Sequence, residues 1–412
     1  MRPKRILIFS LAYQPYIGGA EIAIKEITTR FGFAEYQGEY TFDMITLRFD
    51  RNLPKVERVG NVTVYRVGLA EDSPLISDRA LPLKLKFAKI FFPVTSFFKA
   101  LSLHSHRPYD MIWAMMANQA GFGALFFKLT HPRIPYLLEL QDGNSLDQVK
   151  VRQPIVRFLW PLYCRVYTMA DAIKMISVFI ERLAREVGYH GPIEIIPNGV
   201  DVQKFSAPVP EARLLELKAR YGKRMGDIFL FTASRLVLSR GVEDVIRALR
   251  HLPLEVKFLI AGDGEDREKL EQIAKETGVD SRVIFASHVS HDDLPAFLKI
   301  SDIFVRPSII EGMGNAFIEA FAAGIPVVAT PVGGIPDFLF DPERDPEKEQ
   351  TGVFCNPRDP ESVARAVKRY LDDPALVLTV VKNARALVEE QYDWDTITRV
   401  MHEKLFTPLM EK

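Results

Sequence analysis

Cysteine is nearly absent from this chain: two in 412 residues, Cys164 and Cys355. They lie far apart in apolar company, which excludes a disulfide framework and a thiolate metal knuckle. Net charge is also missing, because 53 basic side chains balance 53 acidic ones, so the total implies no polyanion partner and no nucleic acid. No apolar run reaches the roughly 18 residues a membrane span needs. The start, Met1 to Arg5 followed by Ile6–Tyr13, has the charge and apolarity of a signal peptide. Its apolar run ends at Gln14-Pro15 without a small-x-small site, so it is read as a buried first strand.

What remains is the composition of a folded protein, 48% hydrophobic and 26% charged. Its length exceeds the roughly 250–300 residues at which one core stops growing, so two domains are expected. Charge is unevenly shared, with 25 basic and 18 acidic side chains in the first 200 residues and the opposite imbalance after them. Strand-length apolar runs followed by helical patterns recur at residues 5–9, 42–46, 62–67, 111–114, 136–139, 172–176 and 194–196. A second series starts at 228–233 and continues at 256–261, 283–286, 303–307, 327–330 and 352–355. Alternation of this kind predicts parallel sheets covered on both faces. The restart predicts an α/β protein of two Rossmann-like, doubly wound domains facing across a cleft. Their expected spans are 1–200 and 201–388, with a closing helical segment, 389–412, packing back on the first.

The most informative stretch runs from Ser301 to Thr330 and reads as strand, loop, helix, strand. Gly312 and Gly314 let backbone approach a ligand closely, and the amides of Gly314, Asn315 and Ala316 at a helix N-terminus form a site for phosphate. Glu311 then falls in the loop and Glu319 inside the helix. Like charges keep Glu311 off the phosphates and suit it to sugar hydroxyls; Glu319 suits the cis-diol of a ribose. A second stretch, Tyr136 to Gly143, is a buried strand that ends in the polar pair Gln141-Asp142.

The segment holding Glu311 and Glu319 resembles the E-x7-E signature of the retaining nucleotide-sugar glycosyltransferases of family 4, the glycosyl transferases group 1, whose architecture is GT-B. Tyr13–Glu21 is similar to that family's P-x-x-G-G loop and Ile196–Phe205 to its P-N-G-V-D…F junction, which contains Asn198. Ser234-Arg-Leu…Ser-Arg-Gly241 resembles its G-R-L…K-G pair, Ile260–Gly264 its G-D-G turn, and Thr330–Ile335 its closing glycine loop. Together these cover nearly the whole chain in the family's order.

The resemblance implies that Arg235 and Arg240 neutralise a donor diphosphate, although the family has lysine at the second position and glycine where Ser234 stands. It implies that Gly18 and Gly19 let the N-terminal loop close over the phosphates. It also implies that Asn198 belongs to the donor site and that backbone near His288-Val289, Val289 in particular, selects the base. A His-Asp or His-Glu pair often stands in the family where this chain has Gln141-Asp142. A glutamine does not ionise, so Gln141 is left with hydrogen bonding, while Asp142 either orients the acceptor or serves as a turn residue.

The implied reaction moves a hexose-type sugar from a UDP- or GDP-linked donor to a glycan or lipid-linked acceptor, with retention and with neither cofactor nor metal. The alternatives are a nucleotide-sugar epimerase on the same fold or a non-catalytic sugar-nucleotide-binding protein. Asp393-Trp-Asp395 imitates a metal motif but lies in the closing helical region. Between Asp78 and Asp110 no acidic residue occurs, while Arg79, Lys84, Lys86, Lys89, Lys99 and Arg107 alternate with leucines and phenylalanines. Either this segment, extended by 151–167 with Arg152, makes peripheral contact with an anionic membrane, or it forms amphipathic helices packed on the sheet. The expected location is cytoplasmic, with the inner membrane face as the site of any such contact.

Overall fold

The computed structural model describes residues 2–16, 18–33, 35–72, 81–143, 146, 149 and 154–411. Arg79 and Arg152 lie outside the described residues. The chain divides into two compact units, one of Met1–Asn198 with Trp394–Lys412 and one of Gly199–Asp393.

In the first unit, the described residues form eight strands: β1 (Lys4–Phe9), β2 (Tyr40–Leu47), β3 (Val56–Val59), β4 (Val62–Val67), β5 (Met111–Met115), β6 (Tyr136–Leu140), β7 (Ala172–Met175) and β8 (Ile193–Ile195). They lie in the order β3-β4-β2-β1-β5-β6-β7-β8. Every pairing is parallel except β3 with β4. Strands covered on both faces read as unbroken apolar runs, and Ile6 to Phe9 of β1 are fully buried. Strand β3, absent from the sequence reading, is a short edge whose Val-Glu-Arg-Val carries no such run. It reverses into β4 through Gly60, at φ +59°, as a tight hairpin demands.

The chain end completes this unit's core. Trp394, Ile397, Met401, Leu405, Phe406 and Leu409 are buried among residues of β1, β2 and β5. Phe406 stacks on Phe31 at 5.0 Å between ring centres and meets Trp113 edge-on at 5.6 Å. Asp395 of the apparent metal motif pairs with Arg30.

Six strands form the second sheet among the described residues: β9 (Ile228–Ala233), β10 (Val256–Ala261), β11 (Val283–Ser287), β12 (Ile303–Arg306), β13 (Val327–Ala329) and β14 (Val353–Phe354). All pairs are parallel, in the order β11-β10-β9-β12-β13-β14. Chain order reverses between β9 and β12. Open α/β sheets bind ligands at the carboxyl ends of the strands beside such a reversal. Residues 389–393 stay with this unit, where the Val200 amide donates to the Tyr392 carbonyl at 2.8 Å.

A chain ended after Asp393 is expected to lose the first unit and keep the second. Removing six buried apolar side chains at several kcal/mol each exceeds the roughly 5–15 kcal/mol that holds a domain folded. Limited proteolysis with mass spectrometry checks this: protection should survive in 199–393 and vanish in 1–198, and a protected first unit would contradict it.

Candidate functional site

Strand β12 ends in an unusual residue for a buried strand, Arg306, which is 6% exposed. The loop after it returns a carboxylate to that guanidinium. Glu311, 7% exposed, accepts through Oε2 from Arg306 at 3.0 Å, from Arg240 at 2.7 Å and from the Ser308 hydroxyl at 3.3 Å. All three donors converge on one oxygen, so Oε1 carries none of these bonds. Burial pushes the Arg306 guanidinium below its ordinary pKa, against the opposing pull of Glu311, and its Nε has no hydrogen-bond partner. Its plane lies over the Phe317 ring at 4.2 Å, a contact suited to a weakly hydrated, planar cation.

Backbone contacts fix the loop from both sides. A Cβ on Gly241 would sit 2.0 Å from the Pro307 carbonyl oxygen, and one on Gly333 would sit 1.7 Å from that of Glu311. Both glycines have positive φ, +70° and +57°, so neither position tolerates a side chain. The Ile309 amide donates to Ser239 at 2.8 Å, and the Thr330 hydroxyl donates to the Ser308 carbonyl.

From this loop the chain enters the helix Asn315–Ala323 through Gly314, at φ +92°. A Cβ there would lie 2.6 Å from the Phe317 ring and 2.7 Å from the Arg306 guanidinium. First-turn amides have no carbonyl four residues back to meet, and the macrodipole adds positive potential. Asn315 and Ala316 are half-buried and Gly312 is buried. One turn further in, Glu319, also 7% exposed, bonds through Oε1 to His291 Nε2 at 2.9 Å. Lys204 Nζ lies 3.4 Å from the other ring nitrogen and 2.6 Å from Asp292. An ammonium only donates, so Nδ1 accepts and Nε2 carries the proton given to Glu319. The two glutamates thus bracket the helix entrance, each held through one oxygen.

Arg235 stands exposed at the carboxyl end of β9, and among the described residues no side-chain hydrogen bond or ion pair holds it. Behind it, Gly262 and Gly264 pack backbone to backbone on the same loop; a Cβ on either would lie 1.9 Å from the Ser234 oxygen or 2.3 Å from that of Leu236. The G-D-G turn therefore shapes the arginine loop. Val289, half-buried after β11, makes no backbone hydrogen bond among the described residues.

In the first unit the expected residues stand in a hydrogen-bonded network. At the end of β6, Gln141 Nε2 donates to Glu139 at 2.7 Å and to Asn198 at 3.2 Å, and Asn198 returns a bond to Gln141 Oε1 at 3.0 Å. Asn198 is 1% exposed, and the two side-chain amides bracket each other. Beneath them Glu139 and Lys174, both fully buried, form an ion pair at 2.5 Å, and Trp113 Nε1 donates to Glu139 at 3.0 Å. Asp142 is exposed beside this network. Gly18 caps the helix Gly19–Arg30 with its amide given to Glu21 at 2.8 Å. Its φ of −131° is open to any residue.

Arg306, His291, Glu139 and Lys174 escaped the sequence reading. A charge inside a buried-strand run is the available signal for Arg306, Glu139 and Lys174, whereas His291 carries no such local signal. Replacing Arg306 with leucine leaves a buried carboxylate with one of its two cations, and breaking a buried pair costs about 3–5 kcal/mol. Urea unfolding should show a lowered midpoint for Arg306→Leu and an unmoved one for Arg235→Ala; a wild-type midpoint for Arg306→Leu would refute the assignment.

Comparison with known proteins converges on one family. The model "Glycosyl transferases group 1" matches residues 215–387 and "Glycosyl transferase 4-like domain" matches residues 34–199. An uncharacterised glycosyltransferase of Methanocaldococcus jannaschii is 27% identical over 96% of each chain. A GDP-mannose-dependent alpha-(1-6)-phosphatidylinositol monomannoside mannosyltransferase of Mycobacterium tuberculosis is 32% identical over 57% of this chain and 61% of its own. Among solved structures, Anabaena HepE in complex with UDP-glucose superimposes with a TM-score of 0.75 over 98% of this chain and 99% of its own, at 19% identity. The chain belongs to the group 1, family 4-type glycosyltransferases and has their GT-B fold.

Proposed function

We propose that the second unit holds a nucleoside diphosphate sugar and that the chain transfers its hexose-type sugar, with retention, to a glycan or lipid-linked acceptor met by the first unit. The observation that carries this reading is the pair of buried glutamates on either side of a helix entrance at the β9/β12 switch point. Amides of Gly314, Asn315 and Ala316 receive the pyrophosphate, with Arg235 and Arg240 supplying the countercharge a metal would otherwise supply. Glu319 keeps Oε2 for a ribose diol. Glu311 keeps Oε1 for a hydroxyl of the transferred sugar.

In this scheme the acceptor hydroxyl attacks the anomeric carbon on the face that the diphosphate leaves. The bond from that carbon to the phosphate oxygen breaks through an oxocarbenium-like state, and the departing phosphate oxygen takes the acceptor's proton. The protein's contribution is positioning and charge stabilisation. Base choice rests on backbone at Val289; the GDP-mannose named for the mycobacterial relative and the UDP-glucose held by HepE support both purine and pyrimidine donors as candidates.

Calorimetric titration with UDP and GDP tests the donor site. A charge-assisted hydrogen bond is worth about 1.5–3 kcal/mol, so Glu319→Ala and Arg235→Ala should each weaken the better nucleotide by about 10- to 100-fold. Glu311→Gln should leave that affinity within a few fold while turnover of the matching nucleotide sugar falls. Unchanged affinity in both of the first two variants, or no binding of either nucleotide, would overturn the reading.

A further inference from the structure

The helix Leu83–His106 has two apolar faces. Its inner stripe, Leu85, Ala88, Phe92, Ser96 and Ala100, is buried. At 100° per residue, Leu83, Phe87, Ile90, Phe91, Val94 and Phe98 project from the opposite side, and these are 43–69% exposed. A helix that covers a sheet ordinarily turns polar side chains outward. Here the outward line of large apolar side chains extends for about 22 Å, a continuous patch of the kind that marks an interaction site.

Charge on this helix has one sign. Lys84 and Lys86 stand on the two flanks of the outer stripe, with Lys86 exposed; Lys84 lies 3.6 Å from Glu71, and Arg107 is exposed where the helix stops. No aspartate or glutamate occurs from residue 79 to residue 109. A second copy docked here about a two-fold axis would bring lysine against lysine, which is unfavourable. Anionic lipid complements both parts, because rings and aliphatic chains enter the acyl boundary while lysines meet the headgroups. Among the described residues no helix is long and apolar enough to cross a membrane, so the contact is interfacial.

We infer that the outer face of the helix Leu83–His106 is a docking surface for an anionic bilayer. The helix lies in the membrane plane with Phe87, Phe91 and Phe98 inserted roughly 5–10 Å into the headgroup boundary. This stands on the first unit alone and is read without turnover, so it fails or survives separately from the donor assignment.

The test is flotation of the full chain with phosphatidylcholine vesicles, with and without phosphatidylglycerol. The chain should float with the mixed vesicles at low salt, less at high salt, and little with phosphatidylcholine alone. Phe87→Ser/Phe91→Ser/Phe98→Ser should reduce the bound fraction by about tenfold or more, since each buried methylene group contributes about 0.8 kcal/mol. As a measurement independent of that variant's folding, Phe91→Trp should gain fluorescence that brominated lipid quenches. No flotation at low salt, flotation of the triple variant equal to wild type, an unquenched tryptophan, or a solution dimer abolished by the triple variant would each overturn the proposal.

Discussion

One carboxylate, Glu311, organises the end of the second sheet where β9 and β12 finish. It is buried between two guanidiniums, one rising from β12 and one from the neighbouring loop after β9. Removing charges from water costs several kcal/mol per ion unless pairing and hydrogen bonds repay it. That cost is offset only while the loop keeps the path that Gly241 and Gly333 permit. Loop path, glycine positions and ion cluster are therefore one constraint. Its consequence is that a negative charge stands beside the helix entrance in a fixed orientation, which in the proposed reaction leaves little reorganisation for the moment a substrate arrives.

Much of this was legible in the chain. The strand series shows because parallel strands covered on both faces need unbroken apolar runs, and the helix beginning at Asn315 shows because Gly312 and Gly314 punctuate the run before it. What the sequence hid follows from the same physics. Strand β3 is a half-solvated edge without a long apolar run, so periodicity does not announce it. Arg306 sits where an apolar residue is the default, and only the fold reveals that Glu311 returns to meet it. His291 is nearly thirty residues from Glu319 in sequence, and nothing in its local pattern anticipates their 2.9 Å contact.

The two units solve different problems with buried polar groups. In the second, Glu311 is held between Arg306 and Arg240 beside a helix entrance. In the first, the Glu139–Lys174 pair is wholly enclosed and holds the neutral amides of Gln141 and Asn198 in a reciprocal bracket. With glutamine where the family often has histidine, this end of the sheet offers shape and hydrogen bonding in place of a titrating group. Asp142 is the ionisable residue exposed beside the bracket. A mechanism in which the leaving phosphate takes the proton is consistent with such a surface, since it asks for no base there.

In the proposed reaction the Glu311 carboxylate stays anchored to Arg306 while Arg240 and the helix entrance receive a diphosphate. A crystal structure with bound UDP or GDP tests it most directly. Diphosphate oxygens are expected within hydrogen-bonding reach of the Gly314, Asn315 and Ala316 amides and of Arg240, with the Arg306–Glu311 pair intact. A diphosphate seated elsewhere, or an Arg306 released from Glu311 to bind it, would rule this arrangement out.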